Sequence, residues 1–92
     1  MFDANDLSNL DPTYFSIIFT DVFDVTIMSR NTGHFWLIHN PEYPASGTCF
    51  IFHKHKEYHP YHLHGRVNNL KHAIRSIQRH DRWQMQGRPS RV

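Results

Sequence analysis

In the stretch NNLKHAIRSIQRHDRW, residues 68–83, Leu70, Ala73, Ile74 and Ile77 recur at the three- and four-residue spacing of one helical face. Asn68 or Asn69 stands ahead of it as a cap. A helix with a single apolar stripe is stable only against a second apolar surface, so the rest of the chain must supply one. Alternating segments do. DVTIMSR sets Val25 and Ile27 against Thr26 and Arg30, and Asn31 to Gly33 suits a tight hairpin turn into HFWLIH, residues 34–39. Pro41, Pro44 and Gly47 break that run, and TCFIFHKH, residues 48–55, reads as a third strand. Ahead of these, DPTYFSIIFTDVF offers Asp11 as N-cap, Pro12 at the first helical position, and Phe15, Ile18, Phe19 and Val22 at helical spacing. It reads as a short helix, although its β-branched and aromatic content also suits a strand. The expected fold is α+β, in the order helix, three-stranded antiparallel sheet, helix (αβββα). Both helices cover one sheet face, the open face carries the function, and a short extra strand forms near 61–64 if the chain folds back about Tyr58 and His59.

A chain of 92 residues has room for one core, and at this size it buries only about 60% of the surface exposed when unfolded. Residues 1–92 are therefore expected to form a single domain, ordered from about 7 to 83, with 84–92 as a flexible basic tail. The lone cysteine, Cys49, excludes an internal disulfide and a cysteine-rich zinc site. Lying between apolar strand residues, its thiol is expected to be buried and inert. The first ten residues carry acids where a signal peptide needs bases, and no apolar run approaches the roughly 18 residues of a membrane span. A cytoplasmic location is expected, with no membrane partner.

Charge divides the chain. Residues 1–24 hold five aspartates and no Lys or Arg, whereas residues 25–92 hold all ten Lys and Arg against three acids. Lys71, Arg75, Arg79 and Arg82 form one stripe on the last helix, away from its apolar face. With Lys54, Lys56, Arg66 and the tail residues Arg88 and Arg91 they could make a continuous basic surface that tracks phosphates, while Trp36, Tyr58 and Tyr61 offer stacking faces if exposed. The leading expectation is a small nucleic-acid-binding module directed at RNA or at the backbone, since no recognition-helix motif is evident. The competing one is a non-catalytic protein-interaction module, a homodimer for example, whose aromatic-rich sheet pairs with a partner while the histidines only tune solubility.

The sixteen residues FIFHKHKEYHPYHLHG, 50–65, contain five of the nine histidines. Folding back about Tyr58 and His59 sets His53 opposite His64 and His55 opposite His62, all four on one sheet face. Three imidazoles and a water could hold zinc or nickel there. The opposing expectation is a wet surface on which Lys54 and Lys56 repel a cation, and on that balance no metal or other cofactor is expected. Ser16, Ser29, Ser46 and Ser76 lie in no nucleophile elbow, so an enzyme built from this chain would rely on histidine.

His34 is the candidate for that role, because Gly33 beside it allows close approach of a substrate backbone. The order of elements, with TGHFWLI in the second strand, resembles HicA-type toxins, small domains similar to double-stranded-RNA-binding domains that cleave mRNA with the histidine of a Gly-Ser-His motif. The resemblance covers residues 11–80 in layout, and here Gly33 is followed directly by His34 with no Ser between them. It implies a metal-independent ribonuclease in which His34 acts as general acid or base at a ribose hydroxyl or leaving oxygen. The chain also resembles short proteins of Gram-positive bacteria and their prophages.

Overall fold

The computed structural model describes residues 1–41 and 48–87. Its elements are α1 (Ala4–Leu7), β1 (Phe15–Thr20), β2 (Asp24–Ser29), β3 (Phe35–His39), β4 (Cys49–Lys54), β5 (His62–Val67) and α2 (Leu70–Met85). The five strands form one antiparallel sheet in chain order, each paired to the next. The α+β class expected from the sequence holds, and the three expected strands are β2, β3 and β4. The fold-back strand is present as well, as six residues instead of a short 61–64 segment.

Strand alternation decides which side chains meet the helix. Val25, Ile27, Trp36, Ile38, Cys49 and Ile51 point to one face and are buried, as are Leu70, Ala73, Ile74 and Ile77 of α2 above them. Asn69 caps α2 by accepting the His72 amide at 2.8 Å. At the N-terminal end Asp3 and Asp6 form a reciprocal capping box around the single turn of α1. That turn brings Phe2 and Leu10 into the same core, so the packed unit starts ahead of residue 7.

The segment 11–22, expected as a helix, is a turn followed by the edge strand β1. Asp11 does act as a cap, accepting the Thr13 amide and hydroxyl at 2.9 and 2.7 Å, but the turn it caps ends at Phe15. From there β-branched and aromatic residues favour the extended chain. Phe15 and Ile17 lie opposite Ser29 and Ile27, and a bulge then shifts the register so that Phe19 lies opposite Thr26. The helical spacing of Phe15, Ile18, Phe19 and Val22 is therefore incidental: Phe15 is buried and the other three are exposed.

One buried carboxylate ties three parts of the fold together. Asp81, on α2, has no solvent exposure; its Oδ2 accepts the Tyr14 hydroxyl at 2.7 Å and its Oδ1 the Thr32 hydroxyl at 3.1 Å. Tyr14 leads into β1 and Thr32 lies in the β2–β3 turn. Burial, and secondly the bond to Asp81, push the Tyr14 phenol up to about 12, so it remains a donor at any ordinary pH. A hydrogen bond to a charged group contributes about 1.5–3 kcal/mol, and an orphaned buried partner adds its own desolvation cost. Tyr14→Phe is expected to lower urea-unfolding stability by about 2 kcal/mol and Asp81→Ala by about 3 kcal/mol or more. Unchanged midpoints in both variants would show that the carboxylate is no clamp.

Candidate metal centre

The helix-facing side of the sheet is apolar along most of its length and turns to imidazole at one end. Just ahead of β3, two residues before Trp36, is His34; on β4 the residue two after Ile51 is His53, so each continues the buried row of its strand. On α2 His80 follows Ile77 by three residues and continues the buried stripe of the helix. The β2–β3 turn fixes His34. Gly33 takes a positive φ of 74°, a conformation glycine adopts without steric cost, and the Ser29 amide donates to the His34 carbonyl at 3.0 Å. The Thr32 hydroxyl accepts the His34 amide at 3.3 Å while donating to Asp81, so one relay positions His34 and the helical turn that bears His80.

His34 Nδ1 and His53 Nε2 lie 3.0 Å apart, and one nitrogen from each of His34, His53 and His80 falls within 4.8 Å of the others. Two nitrogens bound to one tetrahedral zinc at about 2.0–2.1 Å are themselves about 3.3 Å apart. The first pair, joined by a hydrogen bond whose proton a metal would displace, is within a few tenths of an ångström of that spacing, and His80 offers a nitrogen within 4.8 Å. His53 and His34 are only 3% and 7% exposed. Trp36 stacks on His53 at 4.2 Å between centroids, and His55 stacks on His34 at 4.4 Å. His64 approaches from β5, 5.3 Å from His80 and 5.8 Å from His53, as a fourth imidazole beside the three.

Burial and neighbouring imidazoles keep His53 neutral. Burial first, then repulsion from His80, His34, His55 and His64, pushes His53 down to about 3. His64 is also lowered, by burial and by His62. A neutral imidazole retains the lone pair that a metal takes, and nitrogen donors of this softness suit zinc, copper, nickel and iron. A cavity of about 300 Å³ lined by His64, Ser76, Arg79, His80 and Trp83 opens beside the cluster on the helix side. Another of about 250 Å³, lined by Lys54, His55, His59, Pro60 and His62, opens beside it at the β4–β5 turn.

The histidine set differs from the one expected. His53 lies opposite His62, not His64, because β4 ends at Lys54 and a bulge between Ile51 and Phe52 takes up one residue of β5. Lys54 Nζ donates to the Glu57 carbonyl at 2.7 Å and the His59 amide to the Lys56 carbonyl at 3.0 Å, so the chain reverses in a wider turn that includes His55. His55 and His62 are thus exposed flanking residues, and the wet-surface expectation does not describe His53. His34 lies beneath α2 against His53 and not at an open groove. His80 was missed by sequence reasoning, though its signal was present: a titratable residue at a core-facing position of the clearest helix.

The expected basic surface is divided. Lys71, Arg75, Arg79 and Arg82 are exposed on α2, whereas Arg66 lies on β5 opposite Phe50, on the sheet face away from the helix. Lys54 is half-buried with its Nζ 4.4 Å from the Tyr61 ring centroid, and Lys56 is exposed in the turn. Trp36 has no exposure, which removes it as a stacking face. Arg88 and Arg91 lie outside the described residues. Among the described residues no helix is long and apolar enough to cross a membrane.

The depressed His53 value carries a stability prediction. Between pH 6.5 and about 3 the unfolded chain holds a proton at His53 that the folded chain does not, so stability rises with pH through that window. The His53 contribution is complete above pH 6.5 and is lost progressively toward pH 3, by up to about 1.4 kcal/mol per pH unit. Denaturant midpoints of the metal-free protein across that range are expected to fall, and His53→Phe is expected to flatten the fall. An equal slope in parent and variant would place the acid sensitivity elsewhere.

Compared with known protein families, curated proteins and solved structures, the chain matches none, so the chemistry of the site rests on its geometry.

Proposed function

We propose that the protein binds one transition-metal ion, zinc foremost, through His34, His53 and His80. The observation that carries this reading is the convergence of three imidazole nitrogens within 4.8 Å on a mostly buried site. Polar rings at core positions cost folding free energy that apolar residues would not, and a metal is the ligand their shared geometry suits. His64 is placed to serve as a fourth donor or to border an open coordination position facing the His64–Trp83 cavity. His55 and His62 act from outside, screening the site from water.

Untagged protein loaded with zinc and desalted is expected to retain one equivalent by elemental analysis. A ligand at 100 times its Kd stabilises the fold by about 2.7 kcal/mol, so a chelator is expected to lower the thermal midpoint by several degrees. His80→Ala and His53→Phe are expected to abolish stoichiometric retention, while His62→Ala leaves it intact. His53→Phe is also expected to stabilise the metal-free protein, because it removes a buried imidazole and keeps a ring against Trp36. Retention that survives His80→Ala but fails in His62→Ala would move the site to the β4–β5 turn.

A second reading rests on the exposed face of α2, where Lys71, Arg75, Arg79 and Arg82 have no acidic neighbour within the stripe and the one acid of the helix, Asp81, is buried. That face suits the phosphate backbone of RNA or DNA. Arg75→Glu with Arg79→Glu is expected to weaken such binding at least tenfold and to flatten its salt dependence. Binding equal to the parent's would leave the stripe a solvated face.

A further inference from the structure

The sheet has two faces and α2 covers one. On the other, Phe19, Thr26, Leu37, Phe52 and Leu63 form one cross-strand row that spans all five strands. Met28 and Phe35 extend it toward one end of the sheet and Phe50 toward the other. Phe19 and Leu63 are 53% and 57% exposed. Near-continuous apolar runs such as FWLI in β3 and CFIF in β4 are the pattern of strands covered on both faces, whereas a sheet with one wet face alternates with polar residues. Five strands about 4.8 Å apart and six residues of about 3.3 Å give this face roughly 500 Å² in projection, in the range of about 300–600 Å² where the largest patch on a monomer often serves a function.

We infer that a second copy of the chain covers this face, giving a two-fold dimer in which the two sheets stack. The pattern of the face selects a second copy over an unrelated partner. The apolar row is centred on Leu37 of β3, with an aromatic and a smaller residue on each side: Phe19 and Thr26 toward β1, Phe52 and Leu63 toward β5. A half-turn about an axis along β3 lays β1 and β2 of one copy over β5 and β4 of the other, so the row meets itself. Charge follows the same symmetry. Asp24 stands on the β2 side and Arg66 on the β5 side of one cross-strand row, with His39 and Phe50 between them. Lys54 adds a second cation on β4. The half-turn lays Asp24 of one copy, whose carboxylate lies 2.8 Å from its own His39 Nδ1, over β4 of the other, one strand from Arg66, and the two-fold repeats this contact, which is the self-complementarity an isologous interface requires. Two such faces bury roughly 1,000 Å² before side-chain relief is added, which reaches the lower edge of stable interfaces. Aligned sheet packing about 10 Å apart accommodates the interdigitated Phe and Leu side chains.

The test is the mass of the full chain by light scattering and sedimentation over a hundredfold range of concentration, with and without chelator. The parent is expected to be dimeric in both conditions. Leu37→Lys is expected to give a monomer, whereas Ile18→Lys, on the exposed β1 edge, leaves the dimer intact. Arg66→Asp is expected to weaken dimerisation at least tenfold, and adding Asp24→Arg restores most of it. Should Leu37→Lys not fold, Leu37→Cys reports instead. The two thiols near the axis are expected to be joined by a short bismaleimide, while buried Cys49, whose thiol is pushed up to about 11 by burial, stays unreacted in the parent. A parent that is monomeric throughout overturns the inference and assigns the face to a different partner. A dimer abolished by Ile18→Lys but not by Leu37→Lys overturns it in favour of edge-to-edge strand pairing. His80→Ala is expected to dimerise as the parent does, so failure of the metal reading and failure of the dimer are separate results.

Discussion

The Asp81 carboxylate is the point at which the helix, the edge strand and the β2–β3 turn are held in one arrangement. Its two oxygens accept from Tyr14 and Thr32, and Thr32 in turn accepts the amide of His34. Because Asp81 and His80 are neighbours on α2, whatever seats the carboxylate also aims the imidazole. A hydrogen-bonded carboxylate without solvent exposure tolerates little displacement, since any loss of contact leaves a buried charge or an orphaned hydroxyl. The geometry of the histidine cluster is thus inherited from a polar clamp and not from packing alone. Supporting bonds of this kind are what give a metal-ligand set its direction.

The cluster itself works against the fold. His34 and His53 occupy positions that continue the rows of Trp36 and Ile51, where an apolar side chain would pack at no electrostatic cost. Instead, imidazoles crowd one another closely enough that protonating His53 is opposed both by burial and by its neighbours. Trp36 eases the conflict by offering a flat apolar ring for His53 to stack on. Departures from an otherwise consistent apolar pattern are the places where function is to be sought, and this is the largest such departure in the core.

How much of this was readable in the sequence depended on whether the signal was local. The face of α2, the β2–β3 turn at Gly33 and the strands built on Val25–Ile27, Trp36–Ile38 and Cys49–Ile51 follow from period and turn chemistry within a few residues. Segment 11–22 was misread because one capped turn at Asp11 was extended into a helix, whereas Phe15 is fixed by pairing with Ser29, a contact outside any local window. The β4–β5 register failed for a related reason. Mirror spacing of histidines assumes an ideal hairpin, and neither the bulge at Ile51/Phe52 nor the Lys54–Glu57 bond that widens the turn can be inferred from spacing. The proposed metal set was legible only in part: His53 was named, His34 was singled out for other chemistry, and His80 was overlooked because a histidine in a basic helix reads as part of its solvated side.

The two faces of the sheet then address one constraint. A chain of 92 residues has a small core, and this one gives several of its core-facing positions to imidazole and one to a carboxylate. Small folds in that position gain stability from outside the single-chain core, by metal or by association. The proposed metal and the proposed dimer lie on opposite sides of the same strands: alternate residues along 34–37 and 50–53 present His34, Trp36, Ile51 and His53 to the helix, and Phe35, Leu37, Phe50 and Phe52 to the far side. Because side chains alternate strictly along a strand, a one-residue slip in β3 or β4 would move the histidines to the outer face and the phenylalanines inward. On the proposed metal site and dimer the correct register is therefore favoured twice, once by an ion gathering His34 and His53 and once by a second copy covering Leu37 and Phe52. Each of the two proposed ligands favours the same register over a slipped one, and within that one register the two faces act independently, because the side chains each engages point to opposite sides of the sheet.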